Sequence, residues 1–180
     1  MVRSEKMKKT LLLLTTAIIT ATMSFTALAN CFVPTSTETA NCVTPVETVQ
    51  IQQDEYYAFE QRVFELINEK RIEAGVPALT YSIEAGEAAD IRVKEASIVF
   101  SHNRPDGRTC FTVLDELAID DYMFAGENLA AGFKTPESVV AGWFASEGHK
   151  ENMLSADYNR VGIGCYKSGD RYYWSQMFLG

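Results

Sequence analysis

The chain contains only two histidines, His102 in SHNRPDG and His149 in SEGHKENML. Two imidazoles are too few for a conventional multi-ligand centre on their own. They are either independent surface residues or partners across one cleft. His149 follows Gly148, and Ser146 or Glu147 can start a short helix there, which sets the ring in a first helical turn. That position disfavours the imidazolium. The neutral ring is the form that ligates a metal or accepts a proton. His102 precedes Arg104-Pro105-Asp106-Gly107, a tight turn by its proline and glycine; Asp106 can tether that turn through its own side chain. Glu127 is the third candidate, flanked by Gly126 and Asn128 in an apolar segment. A carboxylate there lies on a solvated face, which the sequence favours, or in a cleft with partners. No GxSxG or HExxH signature accompanies these residues.

The helices and strands that carry or flank these three residues are readable from periodicity. In DEYYAFEQRVFELINEKRIEAG, Phe59, Val63, Leu66 and Ile67 recur at helical spacing, and Gly75 stops the helix. Ser82 caps a second helix, for which Ile83, Ala88, Ile91, Ala96 and Val99 form the expected buried stripe. A shorter helix covers TCFTVLDELAI, with Phe111, Leu114 and Leu117 inward. A fourth starts at Pro136, a residue suited to a first turn, and runs through Val139, Val140 and Trp143. MFAGENLAAG, RVGIGCYKS and DRYYWSQMFL read as strands, the last two joined by a hairpin at Lys167-Ser168-Gly169-Asp170. Helices on both sides of a small, mostly antiparallel sheet make an α+β layered domain.

Three further readings bound the function. Lys6, Lys8 and Lys9, the apolar run from Leu11 to Ile19 and the small-residue site Ala27-Leu28-Ala29 read as a secretory signal over residues 1–29. An uncleaved anchor and lipid attachment at Cys31 are the alternatives. Residues 30–53, with Pro34 and Pro45, read as a flexible linker, and the domain proper is expected over 54–180. The whole chain carries 16 basic and 24 acidic residues; removing Arg3, Glu5, Lys6, Lys8 and Lys9 leaves 12 and 23. Such an acidic chain repels phosphate backbones, so nucleic acid is excluded as a partner. The four cysteines, Cys31, Cys42, Cys110 and Cys165, suggest disulfides rather than zinc ligation in an exported chain. Of the three possible pairings, Cys31–Cys42 with Cys110–Cys165 puts one bridge in the tail and one in the domain. The second would close about 55 residues, worth roughly 4 kcal/mol on the chain-entropy account. A nucleophilic cysteine is the alternative.

The words VFELINEKRIEAGVPAL, FSHNRPDGRTCFTVL, AGENLAAGFKTPESVVAGWFASEGHKENML, YNRVGIGCY and YYWSQMF, in that order, cover Tyr56 to Phe178. Together they resemble the bacterial branch of the CAP superfamily, the SCP-like group that includes cysteine-rich secretory, antigen 5 and pathogenesis-related proteins. The resemblance implies an α-β-α sandwich with a small central antiparallel sheet. It also implies a cleft lined by two histidines and two acids. His102, Glu127 and His149 match three of these. The second acid of animal and plant members falls on Ser146, three residues after Trp143; Glu147 is adjacent, with its side chain directed elsewhere. By resemblance, the two imidazoles face one cleft, and with Glu127 they form a candidate site for Zn2+ or another divalent cation. The expected function is a secreted or envelope-associated binding module, with no membrane span after signal cleavage, whose cleft takes a lipid, a wall fragment or a peptide. A metal-assisted hydrolase or peptidase using the same cleft, with His149 or Glu127 activating water, is the alternative.

Overall fold

A computed structural model describes residues 45–180. The expected signal segment, the Cys31–Cys42 bridge and the linker up to residue 44 lie outside the described residues.

The first helix, α1, spans Pro45–Glu73. It begins upstream of the boundary expected at Asp54, and its first nine residues are exposed on every side. There follow β1 (Thr80–Tyr81), α2 (Ile83–Ile98), α3 (Thr112–Glu116), β2 (Ala125–Ala131), α4 (Pro136–Ala145), α5 (Glu147–Leu154), β3 (Arg160–Ser168) and β4 (Arg171–Leu179). The sheet order is β1-β3-β4-β2. β4 pairs antiparallel with both neighbours, whereas the two-residue β1 runs parallel to β3. The sheet is therefore small and mixed.

Period-2 alternation in the strands divides the core into two layers. Val63 and Ile67 of α1, Val139, Val140 and Trp143 of α4 and Met153 of α5 pack on one face, against Val161, Ile163, Cys165, Trp174 and Phe178. Ala85, Ala88 and Ala89 of α2 and Val113 and Leu114 of α3 pack on the other, with Met177 and Leu179. Ser82 caps α2 as expected, its Oγ accepting from the Ala85 amide. The buried stripe of α2 contains the expected Ala88 and Ala96 but differs from expectation at its ends. Ile83 and Val99 are exposed, and the buried side is made of Ala85, Gly86, Ala88, Ala89, Arg92, Val93 and Ala96. The reason lies across the sheet. A Cβ added at Gly162 would stand 2.0 Å from the Ala85 carbonyl carbon, and one at Gly164 would stand 2.6 Å from the Ala89 oxygen. The α2 backbone rests directly on β3, which leaves room only for small residues. Gly162→Ala is expected to lower unfolding stability by about 2–3 kcal/mol, since neither backbone can yield cheaply. An unchanged urea midpoint would contradict that packing.

Helix side chains, rather than a further strand, bond some of the outward groups on each free edge of the sheet. On β3, the Cys165 amide donates to Glu60 Oε1 at 3.0 Å, and the Lys167 amide donates to the Tyr56 hydroxyl at 3.1 Å. On β2, Asn152 Nδ2 donates to the Glu127 carbonyl and Trp143 Nε1 donates to the Leu129 carbonyl. Capping of the β3 amides suppresses edge-to-edge association there.

The expected Cys110–Cys165 disulfide is not formed. Both are buried free thiols. Cys165 sits in the α1-side core, whereas Cys110 precedes α3 on the α2 side, so the sheet separates them. Burial pushes the Cys110 thiol up to about 12, with the Glu127 charge adding to it. Burial also pushes Cys165 up, helped by Glu60, Glu55 and Asp90. Neither thiol is activated as a nucleophile.

Candidate functional site

The site is built around the outer edge of β2. Phe124 and Gly180 exchange backbone hydrogen bonds, and the Gly132 amide donates to the Tyr172 carbonyl. With the pairing Ala125↔Leu179 through Ala131↔Tyr173, the even-numbered residues of β2 bond to β4. The backbones of Glu127, Leu129 and Ala131 consequently point outward. Side chains alternate too: Glu127 projects toward α2, and Asn128 toward α5.

Glu127 is not on a solvated face. It is 6% exposed, and both carboxylate oxygens are engaged. Arg92 Nε, from the buried side of α2, donates to Oε1 at 2.7 Å, and His102 Nδ1 lies 2.7 Å from Oε2. Because this carboxylate faces a guanidinium and acts as an acceptor, the proton on the His102 ring is assigned to Nδ1, which leaves Nε2 directed away. The Glu127 hydrogen bond raises the His102 pKa above its usual 6.5, against the effect of burial and the Arg92 charge. Arg92 also donates to the Ser101 carbonyl at 2.9 Å and pairs with Glu95. It therefore fixes both the carboxylate and the backbone beside His102. A second arginine holds the turn that follows: Arg104 bonds Glu95 and Glu116. Asp106 accepts from the Arg108 amide at 3.0 Å, which is the tether expected of it.

His149 reaches the same strand from the opposite layer. Its carbonyl accepts from Asn128 Nδ2 at 3.0 Å; Asn128 also binds Gln176 Oε1, and Asn152 Nδ2 donates to Asn128 Oδ1. The C-terminal end of α5 is held by Arg71, whose buried guanidinium donates to the Met153, Ser155, Pro77 and Tyr158 carbonyls. Burial lowers the His149 pKa, and the His102 charge lowers it further. The two rings are therefore electrostatic neighbours with opposite bias, His102 toward imidazolium and His149 toward neutral imidazole.

Ser146 is the N-cap of α5 but makes no side-chain cap bond. It lines a groove of about 300 Å³ with Phe100, Leu129, Phe133, Trp143, His149 and Arg171. Glu147 is exposed and lines a separate depression beside Lys150 and Glu151. Among the described residues, no group of three or more His, Cys, Asp or Glu is placed to hold a metal ion. Glu127 is already held by Arg92 and His102, so the three residues do not fit a three-ligand zinc centre. Arg92, Arg71, Asn128 and the groove residues Phe100, Phe133 and Arg171 are not among the sequence candidates, whereas Ser146 and His149 are. The only available signal for the two arginines was a cation at a helical position aligned with apolar neighbours.

Residues 64–178 match the CAP family, described as the cysteine-rich secretory protein family. The Bacillus subtilis protein YkwD is 34% identical over 125 residues, 68% of this chain and 48% of that protein. The B. subtilis membrane protein YlbC is 30% identical over 125 residues, 67% of this chain and 34% of that one. The chain thus spans about half or less of the length of these relatives. Among solved structures, an extracellular SCP-domain protein of Bacillus anthracis superposes with a TM-score of 0.66 at 27% identity. That alignment covers 78% of this chain and 45% of the other. A Staphylococcus aureus cysteine-rich secretory protein shares the fold, with a TM-score of 0.59 at 21% identity over 69% of this chain and 39% of its own. A profile match across most of the domain, supported by a relative above 30% identity, shows that the chain belongs to the CAP, or cysteine-rich secretory protein, family.

Proposed function

We propose that this domain is an extracellular binding module whose ligand occupies the groove beside His149. Export is supported by the reading of residues 1–29 as a signal segment and by the extracellular B. anthracis relative. No helix among the described residues is long and apolar enough to cross a membrane. The observation that carries the binding reading is the groove itself. About 300 Å³ of mostly apolar space, walled by Phe100, Phe133 and Trp143, ends in a few polar groups. Small-ligand sites commonly combine apolar walls with sparse convergent polar groups. The hydrolytic reading has less support. Glu127 has both oxygens engaged and is not free to activate water, and His102 and His149 are the two side chains left to hold a divalent cation.

The test is titration of purified protein against three panels: phospholipid vesicles, solubilised peptidoglycan fragments and short synthetic peptides. Saturable binding to one panel is expected. Phe100→Ser, at a half-exposed position, should weaken it at least tenfold, and chelator should leave it unchanged. Silence across all three panels would overturn the binding reading. Loss of binding in chelator would restore a metal to the site.

A further inference from the structure

Resting on the reading of the groove as the ligand site, we propose that its occupant is a short extended peptide. The peptide adds to the outer edge of β2 and places its C-terminal carboxylate at Arg171.

The floor of the groove includes Leu129, Ala130 and Ala131, where the β2 backbone turns its odd-numbered groups outward. The Glu127 and Leu129 carbonyls are capped by Asn152 and Trp143. The Leu129 and Ala131 amides have no hydrogen-bond partner among the described residues. The opposite edge is treated differently. On β3 it is the amides that are capped, Cys165 by Glu60 and Lys167 by Tyr56. The fold closes the Cys165 and Lys167 donors on one edge and leaves the Leu129 and Ala131 donors open within the groove on the other. Alternate outward amides along a strand are complementary to the carbonyls of an added strand. Neither an acyl chain nor a sterol carries acceptors at that spacing.

Arg171 supplies the second recognition element. It begins β4, next to Gly132, just past the end of β2: a Cβ added at Gly132 would lie 4.0 Å from Arg171 Nε. Its guanidinium rests over Tyr173 at 5.5 Å. Every other arginine among the described residues donates hydrogen bonds to protein acceptors: Arg62, Arg71, Arg92, Arg104, Arg108 and Arg160. The Arg171 guanidinium has no hydrogen bond or ion pair among the described residues, in a chain with a net charge of −8. An unpaired guanidinium where an added strand would end suits a carboxylate, which it can grip with two parallel hydrogen bonds. Placing the carboxylate at the Ala131 end makes the peptide run parallel to β2. Its upstream residues then pass Ser146 and His149.

The probe is a pool of N-acetylated pentapeptides with randomised side chains, made as free acids and as C-terminal amides, and applied to immobilised full-length protein. Free acids should be retained, with individual members binding in the micromolar range. Amidation or Arg171→Gln should each weaken binding about tenfold. Ala131→Pro deletes one open amide yet keeps the ladder to β4, because that amide points away from it. It should abolish retention, while Ala131→Val, which adds bulk and keeps the donor, should not. Hydrogen exchange should slow at the Leu129 and Ala131 amides when peptide binds. Equal binding of acids and amides, or binding indifferent to Ala131→Pro, would overturn the inference. Binding of lipid vesicles or wall fragments with no peptide retained would also overturn it, while leaving the groove as the binding site. Silence of every probe would remove both readings.

Discussion

Arg92→Met is expected to destabilise the domain by about 3–5 kcal/mol, the usual cost of removing one member of a buried ion pair. The side chains of Arg92 and Glu127 are 0% and 1% exposed. Without the guanidinium, the Glu127 carboxylate would remain in the interior beside His102 and the Cys110 thiol, with no fixed cation. The Ser101 carbonyl would also lose its donor. Denaturant unfolding measures the loss. The double variant Arg92→Met/Glu127→Gln should recover much of it, because no unpaired charge is left behind; the cycle isolates the pair. A single-variant cost below about 1 kcal/mol would mean that Glu127 is solvated after all. Proton NMR of the rings supplies an independent readout. In the wild type, His102 titrates above 6.5 and His149 below it. In Glu127→Gln, His102 should fall back toward or below 6.5, since burial and the Arg92 charge then act unopposed. Because its folded pKa is raised, His102 contributes stability that is present below pH 6.5 and lost as pH rises through the folded value.

The same buried pair shows why the fold was more legible than the site. β3 and β4 were readable to within a residue or so because alternation and the Lys167–Asp170 turn are local signals. The α4 start was readable because Pro136 at the first turn is local too. The inward face of α2 was legible only in part: Ala88 and Ala96 follow the helical spacing, while the rest is decided by Gly162 and Gly164 on a distant strand. They turn Ala85 and Ala89 inward and leave Ile83 to solvent. Arg92 and Arg71 look like solvated helix residues until tertiary structure supplies Glu127 for one and four carbonyls for the other. The even cysteine count suggested a bridge, but a sheet lies between Cys110 and Cys165, and spacing along the chain carries no information about that. The start of α1 reads as linker because residues 45–53 carry little apolar periodicity, and Val46, Val49 and Ile51 are all exposed. His102, Glu127 and His149 could be nominated together only through family resemblance. Their meeting at the edge of β2 depends on which layer each helix joins, and that is settled by packing.

Stability should fall as pH rises from about 5 to 9, and Glu60→Gln should remove most of that fall. Burial pushes the Glu60 carboxyl up from 4.5 to about 8. The nearby Asp90 charge adds to the effect, and the Cys165 amide and Lys94 oppose it. Asp90 is raised by burial as well. A group whose folded pKa lies above its unfolded value stabilises the fold fully below the unfolded value, near 4.5, and that contribution is lost as pH rises through about 8. Converted at about 1.4 kcal/mol per tenfold, the difference is on the order of 4–5 kcal/mol for this largely buried group. Glutamine keeps a carbonyl oxygen to accept from the Cys165 amide, so the β3 edge stays capped while the ionisation is removed. Urea unfolding from pH 5 to 9 should show converging wild-type and variant curves at low pH, with the variant more stable at high pH. Parallel curves would mean that Glu60 ionises freely. In that case the carboxylate, rather than its protonated form, caps the β3 edge across the whole range.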